Sequence, residues 1–377
     1  MPITKTLLNP ASLEIQALGD DLNSQFLERK SEINSILLAL VAKEHCLLLG
    51  PHGTAKSALT SAIAGALDGS YFELLFSKFT TPEEVFGPIS LKGLENDEYR
   101  RVTAGYAPEA EIMFADEIFK ANAAILNAKL TLLNERQFDT GGKRVDCPLE
   151  ICIGASNELP EDESLAALFD RFVLRRWVSY IKDRDQARIL LTMDEPNVTA
   201  KLSRKNLATL RDARKEVDIS GVVEAILDLK DSLAREHGIV ASDRRWRKCV
   251  KLVQATAVIN GRLVAEREDL LVLADALWDR PEDHAVIYGS IAAVVSPDLQ
   301  AALALLDAAT EMFGSIDFNA TDADSVGRMG RVNSELKRIA LEADRLNQSG
   351  QVVDAVCKVR GMQAAVARAA MQALGLD

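Results

Sequence analysis

The sequence predicts an α/β domain built on a parallel sheet, followed by an all-helical half. Three observations carry that reading. Short apolar runs alternate with helical patterns as far as about residue 195, the texture of βαβ units. A glycine-rich octapeptide containing a lysine joins the first of those runs to a helical segment. After residue 196 the strand signal is gone and apolar residues recur only at helical spacing.

The predicted strands are His45–Leu49, Tyr71–Leu75, Glu111–Ala115 and Leu149–Ala155. Each lacks proline, and all but Tyr71–Leu75 are followed at once or one residue later by glycine, aspartate or asparagine. Strands of a parallel sheet are covered on both faces, so they read as apolar runs rather than as alternation. From 196 to 296, Val222, Ile226, Leu229 and Leu233, then Val250, Val253 and Ala257, then Leu270, Leu273, Ala274 and Leu277 mark helices. Asp185–Thr199, with Pro196, is the expected joint. From 297 to 377, Met329, Val332, Leu336, Ile339, Ala343 and Leu346 form one stripe. Val352, Val356, Val359, Val366 and Ala370 form a second, with Asn347-Gln348-Ser349-Gly350 as the turn of an antiparallel helical hairpin. Leu299, Leu303 and Leu306 point to one more helix. The chain thus divides into 1–195, an α/β core; 196–296, an all-α domain; and 297–377, a helical tail.

Composition narrows the function. Lysine plus arginine is 44 against 56 for aspartate plus glutamate, a net charge of −12. A protein that coats DNA or RNA needs a basic surface, so nucleic acid is not an expected partner, although a small basic pore stays open. The 5 cysteines are scattered and not in CxxC spacing, which excludes a disulfide scaffold and a structural zinc site. MPITKTLLNPASLEIQ has no apolar core of a secretory signal. The longest apolar stretch, near Val286 to Leu306, is broken by Ser296-Pro297-Asp298, so no membrane span is expected. A cytoplasmic location is the default expectation.

Residues 50–57 read GPHGTAKS. A loop that cradles phosphates needs small residues so that its N–H groups turn inward, a lysine for the outer phosphates and a hydroxyl for Mg²⁺. Gly50, Pro51, His52, Gly53, Thr54 and Ala55 form the loop, Lys56 supplies the charge and Ser57 the metal ligand. Ala55 stands where the general motif has its second glycine. EIMFADE, at 111–117, ends an apolar run in Asp116 and Glu117. Strand ends gather at the ligand side of an open parallel sheet. Asp116 is expected to hold Mg²⁺ through water, and Glu117 to take a proton from the attacking water. LEICIGASN ends in Asn157, placed to contact the γ-phosphate and orient that water. Arg171, in LFDRF, is a candidate for delivery across a subunit interface. Arg244 and Arg245, in SDRRW, are rivals for an arginine that reads the nucleotide from the helical domain.

Taken in order, GPHGTAKS, IMFADE, IGASN, LFDRF and SDRRW resemble the AAA+ ATPases. The segment from Thr80 to Phe138, TTPEEVFGPISLKGLENDEYRRVTAGYAPEAEIMFADEIFKANAAILNAKLTLLNERQF, is similar to the MoxR family, and most to its RavA (regulatory ATPase variant A) subfamily. The alanine before the lysine is itself a MoxR-like feature. The resemblance spans roughly residues 15–300 and implies a P-loop NTPase: an AAA+ core, an all-α lid and then the helical hairpin. It implies ATP and Mg²⁺ as ligands, a hexameric ring, and a chaperone-like remodeller paired with a von Willebrand A-domain protein. Lys56, Ser57, Asp116, Glu117, Asn157 and Arg244 would act in cis, and Arg171 on the neighbour's nucleotide. Gly87–Ala107 fits a β-hairpin insert, with Ile89–Leu91 and Tyr99–Val102 as strands about Gly93-Leu94. RavA-like tails carry a β-rich insert, and none fits between Phe313 and Arg328 here. A nucleotide-gated scaffold with little turnover and a nucleic-acid motor are the competing readings.

Overall fold

A computed structural model describes residues 5–121, 125, 131–160, 165–318, 320, 322–347 and 352–373. It divides into two compact units. One comprises Met1–Ile226 with Ile239–His284, the other Leu227–Gly238 with Ala285–Asp377.

The first unit is built on a sheet of five parallel strands in the order β2-β3-β6-β1-β7. These are β1 (His45–Leu49), β2 (Tyr71–Leu75), β3 (Ile112–Asp116), β6 (Ile151–Ser156) and β7 (Phe172–Trp177). β4 (Gln137–Thr140) and β5 (Lys143–Asp146) form a separate antiparallel hairpin. β1 is buried along its whole length between β6 and β7, which is why HCLLL has no polar alternation. The helix Lys30–Ala42 covers β1, β6 and β7 with a face that is buried from Ser35 to Ala42. The helix Lys56–Leu67 leaves the C-terminal end of β1 and packs on β3. Gly154 of β6 is a packing position: a Cβ there would lie 2.9 Å from the Phe172 ring and 3.1 Å from Leu47.

Two expectations need correction. Residues 89–102 do not form a two-stranded hairpin about Gly93-Leu94. Leu91–Leu94 is a short helix, started by Ser90, whose hydroxyl accepts from Gly93 N at 3.1 Å. Only one bridge, Ile89 to Arg101, pairs the flanks. A serine cap before Leu91 favours the helical turn over continued extension. β7 was not expected at all, because FVLRRW carries two arginines. Arg175 is nevertheless fully buried, its guanidinium 3.8 Å above the Phe169 ring and paired with Asp279 at 2.8 Å.

In the second unit the tail helices Pro297–Gly314, Ala323–Leu346 and Val353–Ala373 pack against one another. Met329, Leu336, Ile339, Val359 and Val366 from the two predicted stripes form its core with Ala309 and Ile316. Asp344 bonds Arg360, and Asn333 accepts from Gln363 at 3.2 Å, the order of contacts expected of antiparallel helices. Residues 348–350 of the predicted turn lie outside the described residues. No helix among the described residues is long and apolar enough to cross a membrane.

His45 gives the sheet a pH limit. Its Nδ1 accepts from Cys152 N at 3.0 Å, so its Nε2 donates to Leu133 O at 2.8 Å, and the neutral ring satisfies both. Burial drives its pKa down to about 4 from 6.5. Below pH 6.5 the unfolded chain takes up a proton that the folded chain refuses, so stability falls as pH drops toward 4. The loss reaches about 3 kcal/mol at most. Urea midpoints between pH 7 and 5 should fall more steeply for the wild type than for His45→Gln; equal slopes would remove His45 as the cause.

Candidate nucleotide site

The phosphate loop leaves β1 through a point with no room for a side chain. Gly50 has φ 140, and a Cβ there would lie 2.1 Å from Val178 O. Its N–H donates to Ser156 O at 2.9 Å, and Val178 N donates to Leu49 O at 2.6 Å. The loop is therefore fastened to the ends of β6 and β7. Thr54 Oγ1 donates to Pro51 O at 3.0 Å and closes the turn. Gly53 has φ 73 and open space around its Cα. Ala55 holds the left-handed region at φ 62, a conformation that costs an L-residue roughly 1–2 kcal/mol.

Lys56 is buried, and its Nζ donates to Gly50 O at 2.9 Å and to Pro51 O at 2.8 Å, with Thr54 Oγ1 at 3.3 Å. Burial lowers its pKa, and the carboxylates of Asp116 and Glu117 act in the opposite sense. Ser57 is exposed in the first turn of the helix Lys56–Leu67, where N–H groups and the helix dipole favour an anion.

Asp116 ends β3, and its Oδ1 accepts from Glu117 N at 3.0 Å. Glu117 stands in the left-handed region at φ 51 and is buried. Its Oε1 lies 3.5 Å from His52 Nε2. Lys120 Nζ is 3.1 Å from Oε2 but off the hydrogen-bonding direction, so Oε2 accepts no bond. Asn157 follows β6; its Nδ2 is 3.5 Å from the same His52 nitrogen, and its buried Oδ1 has no partner. His52 of the loop thus gathers Glu117 and Asn157 at one point. Two buried oxygens without hydrogen bonds, beside the glycine-rich loop, fit a hydrated phosphate. Ser57 and Asp116 are the oxygen donors a magnesium ion there would take.

Beside Gly53, Thr54 and Ala55 opens a cleft of about 550 Å³, walled by Phe26, Tyr180, Leu190 and Met193, with Asp194 and Glu195 at its edge. Apolar walls with a few polar groups suit a flat heterocycle next to the phosphate loop. Arg29 braces the junction: Nε donates to Thr54 O at 3.1 Å and Nη2 to Ser179 O at 2.9 Å.

The arginines lie elsewhere. Arg244 bonds the Asp170 carboxylate, and Arg171 lies 3.9 Å from it. Arg245 is buried, donating to Asp170 at 3.1 Å and to Asp279 at 2.7 Å. Asp170 is itself half-buried, which opposes ionisation, yet the Arg245 and Arg244 guanidiniums hold its pKa below the usual range. Among the described residues, no hydrogen bond or ion pair links Arg171 or Arg244 to the loop, to Glu117 or to Asn157. Arg244, expected to act on the nucleotide of its own subunit, has its guanidinium tied here to Asp170, the residue before Arg171.

Residues 13–213 match the model of the "MoxR domain in the MoxR-vWA-beta-propeller ternary systems", and 221–291 match an AAA lid domain. The chain belongs to the MoxR family of AAA+ ATPases. Two uncharacterised proteins of Methanocaldococcus jannaschii are similar to this MoxR chain. One is 43% identical over 278 residues, 73% of this chain and 72% of the relative. The other is 41% identical over 276 residues, 71% and 72%. The chaperone MoxR1 of Mycobacterium tuberculosis is 24% identical over 289 residues, 71% and 74%. A crystal structure from Cytophaga hutchinsonii has a TM-score of 0.63 at 20% identity, over 77% of this chain and 97% of that one, a likeness of fold.

Sequence reading of this MoxR chain missed the cleft walls and Arg29. Leu190 and Met193 fall in the stretch taken as a joint, although apolar residues clustered before Pro196 were a legible sign of a wall. Arg29 carried no sign, since nothing in the sequence ties it to Thr54. Relief of the positive φ should make Ala55→Gly more stable by up to about 1 kcal/mol, read as a higher denaturant midpoint. A lower midpoint would show that the Ala55 methyl is needed for packing.

Proposed function

We propose that this MoxR chain hydrolyses ATP with Mg²⁺ and works as a ring of like subunits, hexameric as in AAA+ machines, remodelling a partner complex. Its division of labour follows the chain: core at 1–195, lid at 196–296, tail at 297–377. The observation that carries the reading is Glu117, a buried carboxylate with one oxygen unbonded, at the mouth of the phosphate loop.

In this scheme Lys56 exchanges its loop carbonyls for the outer phosphates, and the N–H groups from Gly53 to Ser57 hold the rest. Ser57, and Asp116 through water, hold Mg²⁺, which would supply electrostatic stabilisation of phosphate charge. Glu117 accepts the proton of the attacking water, and Asn157 Oδ1 fixes that water's orientation. His52 keeps the two together. Because Arg171 and Arg244 share Asp170, we assign both to the nucleotide of the adjacent subunit, where they meet the charge that develops on transfer. The description of the matched family supports a von Willebrand A-domain protein as partner. A RavA-type character is supported only by the stretch from Thr80 to Phe138, and a cytoplasmic setting by the absence of a spanning helix among the described residues.

Steady-state phosphate release tests the base. Glu117→Gln should keep ATP binding and lose turnover by about 10²-fold or more; equal rates would remove Glu117 from the chemistry. Mixing tests the arginines. Arg171→Ala and Arg244→Ala should each be nearly inactive alone, and each should regain activity when mixed with Lys56→Ala subunits. Rescue of Arg171→Ala but not of Arg244→Ala would return Arg244 to its own subunit's nucleotide.

A further inference from the structure

A second cleft, of about 290 Å³, opens at the opposite edge of the sheet. Lys43 precedes β1, Glu111 precedes β3 and Glu150 precedes β6, so the cleft sits at the strands' N-terminal ends. The phosphate loop leaves the other end of β1, five residues or roughly 16 Å of strand away. The helix Arg204–Lys215 lines one side along its length.

The charge of this cleft runs against the rest of the chain. The protein carries −12, yet the lining has five cations, Lys43, Arg204, Arg211, Arg214 and Lys215, against three carboxylates. Each carboxylate is already used: Glu111 by Arg204, Glu150 by Arg211, Asp212 by Lys215. Among the described residues that leaves Lys43 and Arg214 without an ion pair; the carboxylate that acts on Arg214, Glu44, is itself paired with Lys248 and Lys251, and Arg214 Nε is buried with no hydrogen-bond partner. Arg136, whose Nη2 donates to Lys43 O at 2.9 Å, adds one more positive charge beside them. Burial lowers the pKa of Lys43, and the neighbouring Arg136, Arg211 and Lys215 lower it further, with only Glu150 in opposition. Crowded cations short of counter-charge are what an oxyanion site looks like before its ligand arrives. Leu67, Ile112 and Leu207 add apolar lining beside the charges, which suits a small organic body attached to the anion.

We propose that this cleft binds a small phosphate-bearing anion, held by Lys43 and Arg214, at a site separate from the nucleotide. Its size admits a phosphate monoester. The ligand needs neither the phosphate loop nor turnover, so the site stands or falls independently of the ATPase reading.

Calorimetric titration of the full chain with phenyl phosphate, and separately with inorganic phosphate, at low ionic strength tests it. In Lys56→Ala, which disables the phosphate loop, binding should persist and should weaken with added salt. Adding Lys43→Gln should weaken that binding about tenfold, and Lys43→Glu more. Lys43 is exposed, so neither change threatens the fold. Tighter binding of phenyl phosphate than of phosphate identifies the organic ester as ligand; equal binding identifies the inorganic ion, and both support the site. No binding to Lys56→Ala, or binding that ignores both Lys43 substitutions, overturns the proposal.

Discussion

Everything at the nucleotide site depends on how closely the backbones approach at Gly50. A hydrogen-bonded amide on one side and the Val178 carbonyl on the other leave no space for a Cβ. That contact fixes the ends of three neighbouring strands in one plane of reference. Ser156, whose carbonyl takes the Gly50 N–H, is followed directly by Asn157. Val178 is followed directly by Ser179 and Tyr180, which bring Arg29 and the wall of the cleft. The phosphate loop, the amide and the heterocycle wall are thus three continuations of one junction, and none can move without the others. A parallel sheet supplies such a junction because its strands all end on the same side.

The arginine cluster follows a different logic. A buried guanidinium is costly unless its donors are satisfied, and breaking one partner leaves the other exposed to that cost. Arg175 meets the condition through Phe172 O, Trp278 O and Asp279, and by stacking on Phe169; burial still pulls its pKa down to about 10. Asp279 also takes Arg245, and Arg245 also takes Asp170. The chain of contacts ties LFDRF, β7, SDRRW and the Trp278–Asp279 turn together inside one unit. The two arginines of SDRRW differ in setting: Arg245 is enclosed in that cluster, whereas Arg244, bonded to Asp170, is 55% exposed. Serine at 242 caps this helix, accepting from Arg245 N, so the direction of both side chains is set by the first turn.

Much of this was legible before any coordinates. β1 and β2 have the ends expected of them, because apolar runs bounded by Gly50 and by Phe76-Ser77 leave little choice. β3 and β6 start one and two residues later than expected, since Glu111 and Leu149 look no different in sequence from the residues that pair. β7 was hidden by its arginines, whose burial depends on partners about a hundred residues away. The β4–β5 hairpin was not among the expected strands, although Gly141-Gly142 between Phe138 and Val145 is a turn signal; both glycines take positive φ in the structure. Its short strands are half-exposed and offered no apolar run. Motif residues were readable because phosphate chemistry restricts them to a few types at fixed spacing. The residues around them were not, because Arg29 and the cleft walls answer only to shape.

Lys56 carries one more implication. Its ammonium rests on Gly50 O and Pro51 O, acceptors that belong to the loop itself. The loop is therefore self-templated: its own carbonyls hold the lysine and fix its curvature. An incoming anion must outcompete two carbonyls for that ammonium, so weak, singly charged ions are rejected at the door. Any anion leaving the loop would return the ammonium to the same carbonyls, and the binding surface would be reset without refolding.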